Sequence, residues 1–504
     1  LEGRELSYSG KTYQIDCSRG GMNASPNMDS FPAYMMVDVR NINLHEGGRQ
    51  NRGGTEKINS TAISGSPRIM GGIQFILDDG TEFSVKATSD GSIYKDNTTT
   101  IKTGLTTNKV THFTVYRNKL YICNGTDPVE TWDGVAGSTT PLATIPSDWA
   151  GQNQPEKMVV HGKGESERLW AYQGKNVYAS GLGTDDFSDG TTKFIYVEST
   201  GITGMNEFGD RLFLFSREKP FIVDETNIAT SGIGYESAIW EGGVAHHRLV
   251  VQAENNLFGM GEDGDIFSVI TAQEFGDYKR ASIARPAFMD KWIRDNIDLT
   301  KISNFHGVYD RKLRAVKWFM QRRGQNTIDT ALVYFIDRPP EEAWVLHDNR
   351  TNNSGYSASA SWLFRKGLGD IVVYTGDYSG FVWELETGNF NDDSNGYQKS
   401  FKTGHINMDN SRMSKFFDDG RLVVQPKGNF NLTINWWLDG IQQTALSVST
   451  TTSGGVLGSF VLDTDILGGE ELQETEFELG DLGKRIQLEV INSSADEEFF
   501  IASI

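Results

Sequence analysis

Cysteine is nearly missing from this chain: two residues in 504, Cys17 and Cys123, are too few and too far apart for a disulfide framework. That excludes a small disulfide-stapled secreted fold and predicts two buried thiols in a protein folded in reducing cytoplasm. Long apolar runs are missing as well. No segment reaches the length of a membrane span, and Leu1-Glu2-Gly3-Arg4 lacks the basic flank and apolar stretch of a signal peptide, so the chain reads as soluble. Basic residues are in deficit, with 47 Lys and Arg against 67 Asp and Glu and a formal net charge of −20. Such a surface repels phosphates and excludes a nucleic-acid binder that works by counterion release, though not a surface that DNA merely passes. Helical periodicity is confined to one stretch, Phe288 to Ile297.

Glycine and aromatic residues are plentiful, with 55 Gly and 11% Phe, Trp and Tyr, a composition that suits short strands joined by tight turns. From about residue 63 a rhythm appears. Ile73 to Leu77, the turn Asp78-Asp79-Gly80 and Glu82 to Val85 form the first phrase. Phe113 to Tyr116, Leu120 to Ile122, the turn Asn124-Gly125 and Val129 to Trp132 form the second. Similar phrases recur at Arg168 to Ser180, Arg211 to Val223, Asn256 to Val269, Lys312 to Ile336 and Ile371 to Leu385. Degenerate units of roughly 40 to 50 residues match the blade repeat of a β-propeller. The expected architecture is all-β: an extended N-terminal arm over 1–62, a propeller of about seven blades over 63–390, and a β-sandwich over 391–504. The sandwich strands are placed at Leu422 to Val424, Asn431 to Trp437, Ser459 to Leu462 and Arg485 to Ile491, with a turn at Ser453-Gly454-Gly455.

Chemical motifs fail at their spacing. Gly10-Lys11-Thr12 would need its first phosphate-loop glycine where Glu5 stands. Asn391, Asp393, Asn395 and Gly396 open like a calcium loop, but Lys402 occupies the position of the closing acid. His246-His247 is the one close histidine pair, and on a strand the two would face opposite ways. Thr375, Asp377, Gly380 and Trp383 approach a sialidase-type aspartate box with one residue too many, and Trp132-Asp133 lacks a Gly-His partner; both read as hairpin turns. No catalytic, cofactor-binding or metal-binding residue is assigned, no cofactor is expected, and polysaccharide hydrolysis is not expected. The segment from Asp463 to Glu498 carries twelve acids against Lys484 and Arg485.

Several stretches resemble the propeller proteins of bacteriophage tails, the hub or nozzle proteins of short-tailed phages. These are Gly20-Gly21-Met22-Asn23, Val39-Arg40-Asn41, Glu46-Gly47-Gly48 and Arg52-Gly53-Gly54; Leu120 to Pro128 leading to Trp132-Asp133-Gly134; Gly376 to Leu385; and Lys484 to Leu488 with Asn492 to Glu497 and Phe499. The resemblance implies a non-enzymatic virion protein assembled in the host cytoplasm, with copies of itself in a ring, six being the expected number. Adaptor or portal-side tail proteins and tail fibres would be its neighbours, and DNA would pass without specific binding. On that reading part of the excess acid faces the ring's channel, so that the duplex does not adhere. The alternative is a carbohydrate-active or receptor-binding propeller at the tail tip.

Overall fold

The computed structural model describes residues 12–188, 193–197, 200–225, 233–238, 240–271, 278–350, 354–367, 369–426, 428–450 and 472–504. They divide into two compact units, 53–397 and a second made of 1–52 with 398–504.

Residues 53–397 form a β-propeller. Four-stranded antiparallel sheets follow one another along the chain; among the described residues there are six, and His306–Asp310, Ala315–Met320, Thr330–Phe335 and Trp344–Asp348 pair in the same antiparallel order between the fifth and sixth of them. The first strands are Ile69–Ile76, His112–Tyr116, Lys157–His161, Ile202–Phe208, Val251–Ala253, His306–Asp310 and Ala360–Lys366, opening blades 1 to 7. These strands lie innermost. Each adjoins the first strand of the next blade, and the last adjoins the first, except that the turn His247–Leu249 intervenes between blades 4 and 5. Alternation then decides which blade each side chain meets. In Lys119–Cys123, Leu120 and Ile122 pack with Phe75, Val85 and Trp132 toward blade 1, whereas Tyr121 and Cys123 pack with Met158, Leu169 and Tyr178 toward blade 3. The ring closes through blade 7, whose outer strand is Gly54–Lys57 from the N-terminal side, paired with Val382–Thr387. The expected helix is present as Met289–Asn296.

The second unit holds two antiparallel sheets. One runs Ile42–His45, Gly48–Asn51, Phe499–Ser503, Lys415–Pro426, Gln473–Gly483; the other contains Met36–Arg40, Lys399–Thr403, Ile486–Asn492, Phe430–Leu438 and the short strands Ile441–Gln442 and Leu446–Thr450. Phe430–Leu438 alternates between buried Phe430, Leu432, Ile434, Trp436 and Leu438 and more exposed neighbours. Arg49 of the first sheet places its guanidinium 5.1 Å from the centre of the Phe401 ring on the second.

The expected boundaries change accordingly. Residues 36–57 are strands rather than an arm, and a unit confined to 391–504 would lack the strands that 36–51 contribute. The physical reason is that these strands bury polar side chains. Arg49, fully buried, donates to the carbonyls of Arg19, Gly20 and Tyr34 at 2.8–2.9 Å, and buried Arg52 donates to Asn41 Oδ1 at 2.8 Å. The strand expected at Ser459 to Leu462 and the turn at Ser453 to Gly455 lie outside the described residues, as do Leu1 to Lys11. Both cysteines are buried and free, and burial pushes the Cys123 thiol up to about 12.

Candidate functional site

Where the inner strands converge on the propeller axis, small residues are required. A Cβ on Gly307 would lie 2.6 Å from Val251 and 3.0 Å from Trp318. The space left encloses a cavity of about 220 Å³ lined by Gly71, Gly72, Gly307 and Ala360 together with His112, Lys157, His247, Arg248 and His306. Among the described residues no aspartate or glutamate lines it.

Each polar group is held from behind. Lys157 Nζ donates to Asn206 Oδ1 at 3.2 Å. His306 Nε2 donates to the Ala358 carbonyl at 3.2 Å, so its Nδ1 accepts from the Ser361 hydroxyl at 2.8 Å. His247 Nδ1 lies 3.3 Å from the Tyr172 hydroxyl, and its ring meets that of His112 edge to face at 5.8 Å. Arg248 donates to the carbonyls of Asn304 at 2.7 Å and of Ser303 and Ser359 at 3.2 Å. Beyond these bonds, His247 Nε2 and Arg248 Nε have no partner among the described residues. His246 and His247 do not straddle a strand. They open the short 3-10 turn between blades 4 and 5, where His246 Nδ1 accepts from Arg248 N, and their rings lie side by side, tilted by 35°, with centres 4.1 Å apart.

Burial without counter-charge depresses every one of these cations. Lys157 falls to about 8, and Arg248 to about 9 with Arg68 adding to the burial effect. Burial, then Arg248 and Lys157, lower His246 to about 3; His112, His247 and His306 also sit well below the ordinary imidazole value, burial being the largest cause.

A second cavity, of about 300 Å³, lies at blades 3 and 4 and is acidic, with Glu207, Asp210, Asp224 and Glu225 in its wall. Glu225 and Glu207 approach the His161 ring at 2.9 and 3.6 Å; burial alone would lower the imidazole's pKa, and the two carboxylates reverse that and raise it. Among the described residues no cluster of His, Cys, Asp and Glu could hold a metal ion, and no helix is long and apolar enough to cross a membrane.

The motifs weighed in the sequence are fastenings of blades 2 and 7 and of the turn that follows blade 7. Asp377 Oδ1 accepts from Ser379 N at 2.7 Å and Phe381 N at 2.9 Å, and its Oδ2 accepts from Trp383 Nε1 at 3.1 Å. Asp377→Ala should therefore destabilise the propeller by about 1–3 kcal/mol for the stranded donors, with Asp377→Asn recovering part, as read by urea unfolding. Asp133 similarly accepts from Val135 N and Ala136 N at 2.9 Å. In the 391–396 turn, Asn391 Oδ1 accepts from Ser394 N, Asp392 accepts from Thr55 and Asn349, and Asp393 pairs with Lys57 at 2.7 Å. Lys402 instead lies 3.4 Å over the Trp437 ring. Gly10 and Lys11 lie outside the described residues, as does the acidic segment up to Glu471; Glu474 and Glu476 pair with Arg421 at 3.7 and 3.0 Å.

The two-sheet unit has an apolar end. Phe416 and Leu482 stand directly opposite across the ladder and are 56% and 62% exposed. Met413 and Ile441, also exposed, belong to the same end, where Lys415 Nζ donates to the Met413 and Lys484 carbonyls and Asp439 accepts from Lys484 N.

No protein-family model matches the chain, and no curated protein matches it. Solved structures do. The RRP9 WD40 repeats share 7% identity over 67% of this chain and 99% of that one, with a TM-score of 0.43. BBS1N, solved in complex with ARL6DN, shares 10% identity over 67% of this chain and 97% of that one at 0.41. The computationally designed Ika8 protein shares 12% identity over 65% and 98% at 0.34. Likeness at this level says nothing of activity.

Proposed function

We propose that this chain is a structural component of a bacteriophage tail, a hub or nozzle subunit that assembles with copies of itself into a ring around the DNA channel, and that it is not an enzyme. The sequence resemblance supplies the setting. The observation that carries the assembly reading is the exposed apolar end of the two-sheet unit, Met413, Phe416, Ile441 and Leu482. Contiguous exposed apolar side chains on a stable β scaffold mark a protein interface. A patch that docks on a different surface of the next copy makes a head-to-tail contact, and such contacts give a ring when the rotation between copies closes. The propeller suits this role because its sheets leave few open edges, giving a stiff block that bears large interfaces without aggregating. Portal-side adaptors and fibres would occupy other faces, and an acidic ring lining, to which Glu474 and its neighbours could contribute, lets DNA pass without adhesion.

Sedimentation velocity of the full chain at micromolar concentration should show a ring-sized oligomer. Phe416→Asp with Leu482→Asp should yield monomers of unchanged circular dichroism and melting, since both side chains are already exposed. A chain that remains monomeric, or a variant that assembles like its parent, would overturn the proposal.

A further inference from the structure

We propose that the cavity on the propeller axis is a binding site for a small oxyanion of the phosphate class. This goes beyond the assembly role and does not depend on it.

The charge distribution is the first argument. The chain carries a net −20, yet Lys157, Arg248 and three histidines meet at one point with no acid among the described residues of the wall. Random placement of an acidic surface does not give this, and neither does packing, because a buried cation without a counter-charge is costly. Lys157 is 7% exposed and makes no ion pair among the described residues; one amide oxygen accepts from its three-donor ammonium.

The second argument is unused donors. His247 is 5% exposed, lines the cavity, and has an unpartnered Nε2. With the Tyr172 hydroxyl donating to Nδ1, the proton sits on Nε2 and is available to an acceptor. Arg248 Nε is unpartnered in the same wall. Native proteins leave few buried donors unmet, so two in one cavity beside an ammonium point to an acceptor that arrives from solution.

The third argument is rigidity. Asn206 behind Lys157, Tyr172 behind His247, and three carbonyls on Arg248 fix these groups before any ligand enters. An anion would therefore pay little ordering cost. It would also supply the counter-charge that these buried groups lack, and a cavity of about 220 Å³ admits one tetrahedral oxyanion with its waters.

The test uses the full chain, isothermal titration with inorganic phosphate, and sodium chloride at matched ionic strength as control. Saturable phosphate binding is expected, with a rise in melting temperature that follows occupancy. Lys157→Met should weaken binding at least about tenfold, which corresponds to losing one charge-assisted contact, while Arg217→Gln at the exposed pair with Glu262 should leave it unchanged. If Lys157→Met does not fold, His247→Gln serves as the second variant, and a crystal soaked in phosphate should show the ion against Lys157. Sulfate, whose charge is constant from mildly acid to alkaline pH, reports the protein's own titration. The groups facing the site are His112, Lys157, Tyr172, His246, His247, Arg248 and His306, with Cys123 and Glu156 behind Lys157 and Tyr172, and Arg68 and Tyr378 behind Arg248. Lys157 is charged below about 8 and neutral above it, so sulfate affinity should fall as pH rises through that value and strengthen in acid as the imidazoles take up protons. No saturable binding of phosphate or sulfate at millimolar concentration, or equal binding by Lys157→Met, overturns the proposal. Preference for acetate or a peptide carboxylate over both oxyanions overturns the ligand class.

Discussion

Lys317→Met should lower the stability of the propeller by about 3–5 kcal/mol at neutral pH. Lys317 is wholly buried in blade 6, and its ammonium lies 2.9 Å from Asp310 and 2.9 Å from Glu386, with the Tyr356 hydroxyl 3.4 Å away. Burial alone would lower its pKa; the two carboxylates more than reverse this and hold it above the ordinary lysine value. Since the folded value is raised, the stabilisation is complete below the unfolded lysine pKa and is lost only in strong alkali. Glu386 is the hub of the cluster. It also accepts from Tyr356 Oη at 2.8 Å and from Gly53 N at 2.8 Å, and its own carbonyl accepts from Lys312 Nζ at 3.1 Å, so blades 6 and 7 and the closing segment meet there. Removing the lysine strands two buried carboxylates without their counter-charge. Adding Glu386→Gln to Lys317→Met should recover part of the loss. Urea unfolding of the parent and both variants checks these statements; a loss below about 1 kcal/mol, or no recovery in the double variant, would show that the cluster is solvated rather than buried.

How much of this was legible follows from where each element keeps its apolar side chains. The middle strands of a blade are buried on both sides by neighbouring blades, and tight turns punctuate them, so Lys119–Cys123 and Val382–Thr387 stand out. Outer strands do not. Thr140–Pro141 is two exposed residues, and nothing in its composition marks it. The N-terminal strands were hidden for the opposite reason: beside buried Met36, Val39, Ile42 and Leu44 they bury Arg49 and Asn51, with Asn41 and Arg52 buried in the links between them, and hydrophobic periodicity reads such polar residues as loop although hydrogen bonding satisfies them. The axial site escaped because its basic side chains come one at a time from the first strands of blades 2, 3 and 6 and from the turn between blades 4 and 5. Its signal lay in register: His112, Lys157 and His306 each begin the first strand of a blade, so superposing the repeat phrases on their first strands would have stacked them at the axis. His246 and His247 were misjudged by applying strand alternation to a turn.

The same correction at the N-terminus carries the largest consequence. Had 1–62 been an arm, deleting it would leave the propeller's melting unchanged. The structure predicts otherwise, because Gly54–Lys57 is the outer strand of blade 7, with Thr55 opposite Leu385 and Lys57 opposite Trp383. The segment after it is fastened too: Asn59 Oδ1 accepts from Val382 N at 2.7 Å, Asn59 Nδ2 donates to Gly380 O at 3.0 Å, and Ile63 N donates to Gly380 O at 3.0 Å. Thr55 is fully buried, donating to Asp392 and accepting from Gly355 N. A fragment spanning 53–397, which keeps every blade whole, should unfold in one cooperative transition. A fragment beginning at 63 loses the ladder and these side-chain bonds. At roughly 1 kcal/mol for each hydrogen bond, the deficit reaches about 5 kcal/mol, comparable to the whole stability of many domains. It should also expose the edge of Val382–Thr387, where amide exchange would accelerate first and where an unpaired strand invites aggregation. Equal urea midpoints and equal exchange protection in the two fragments would mean that the ring closes without its N-terminal strand, and the seam between blades 7 and 1, packed through Ile63, Ile69, Trp362 and Tyr374, would then have to carry the closure alone.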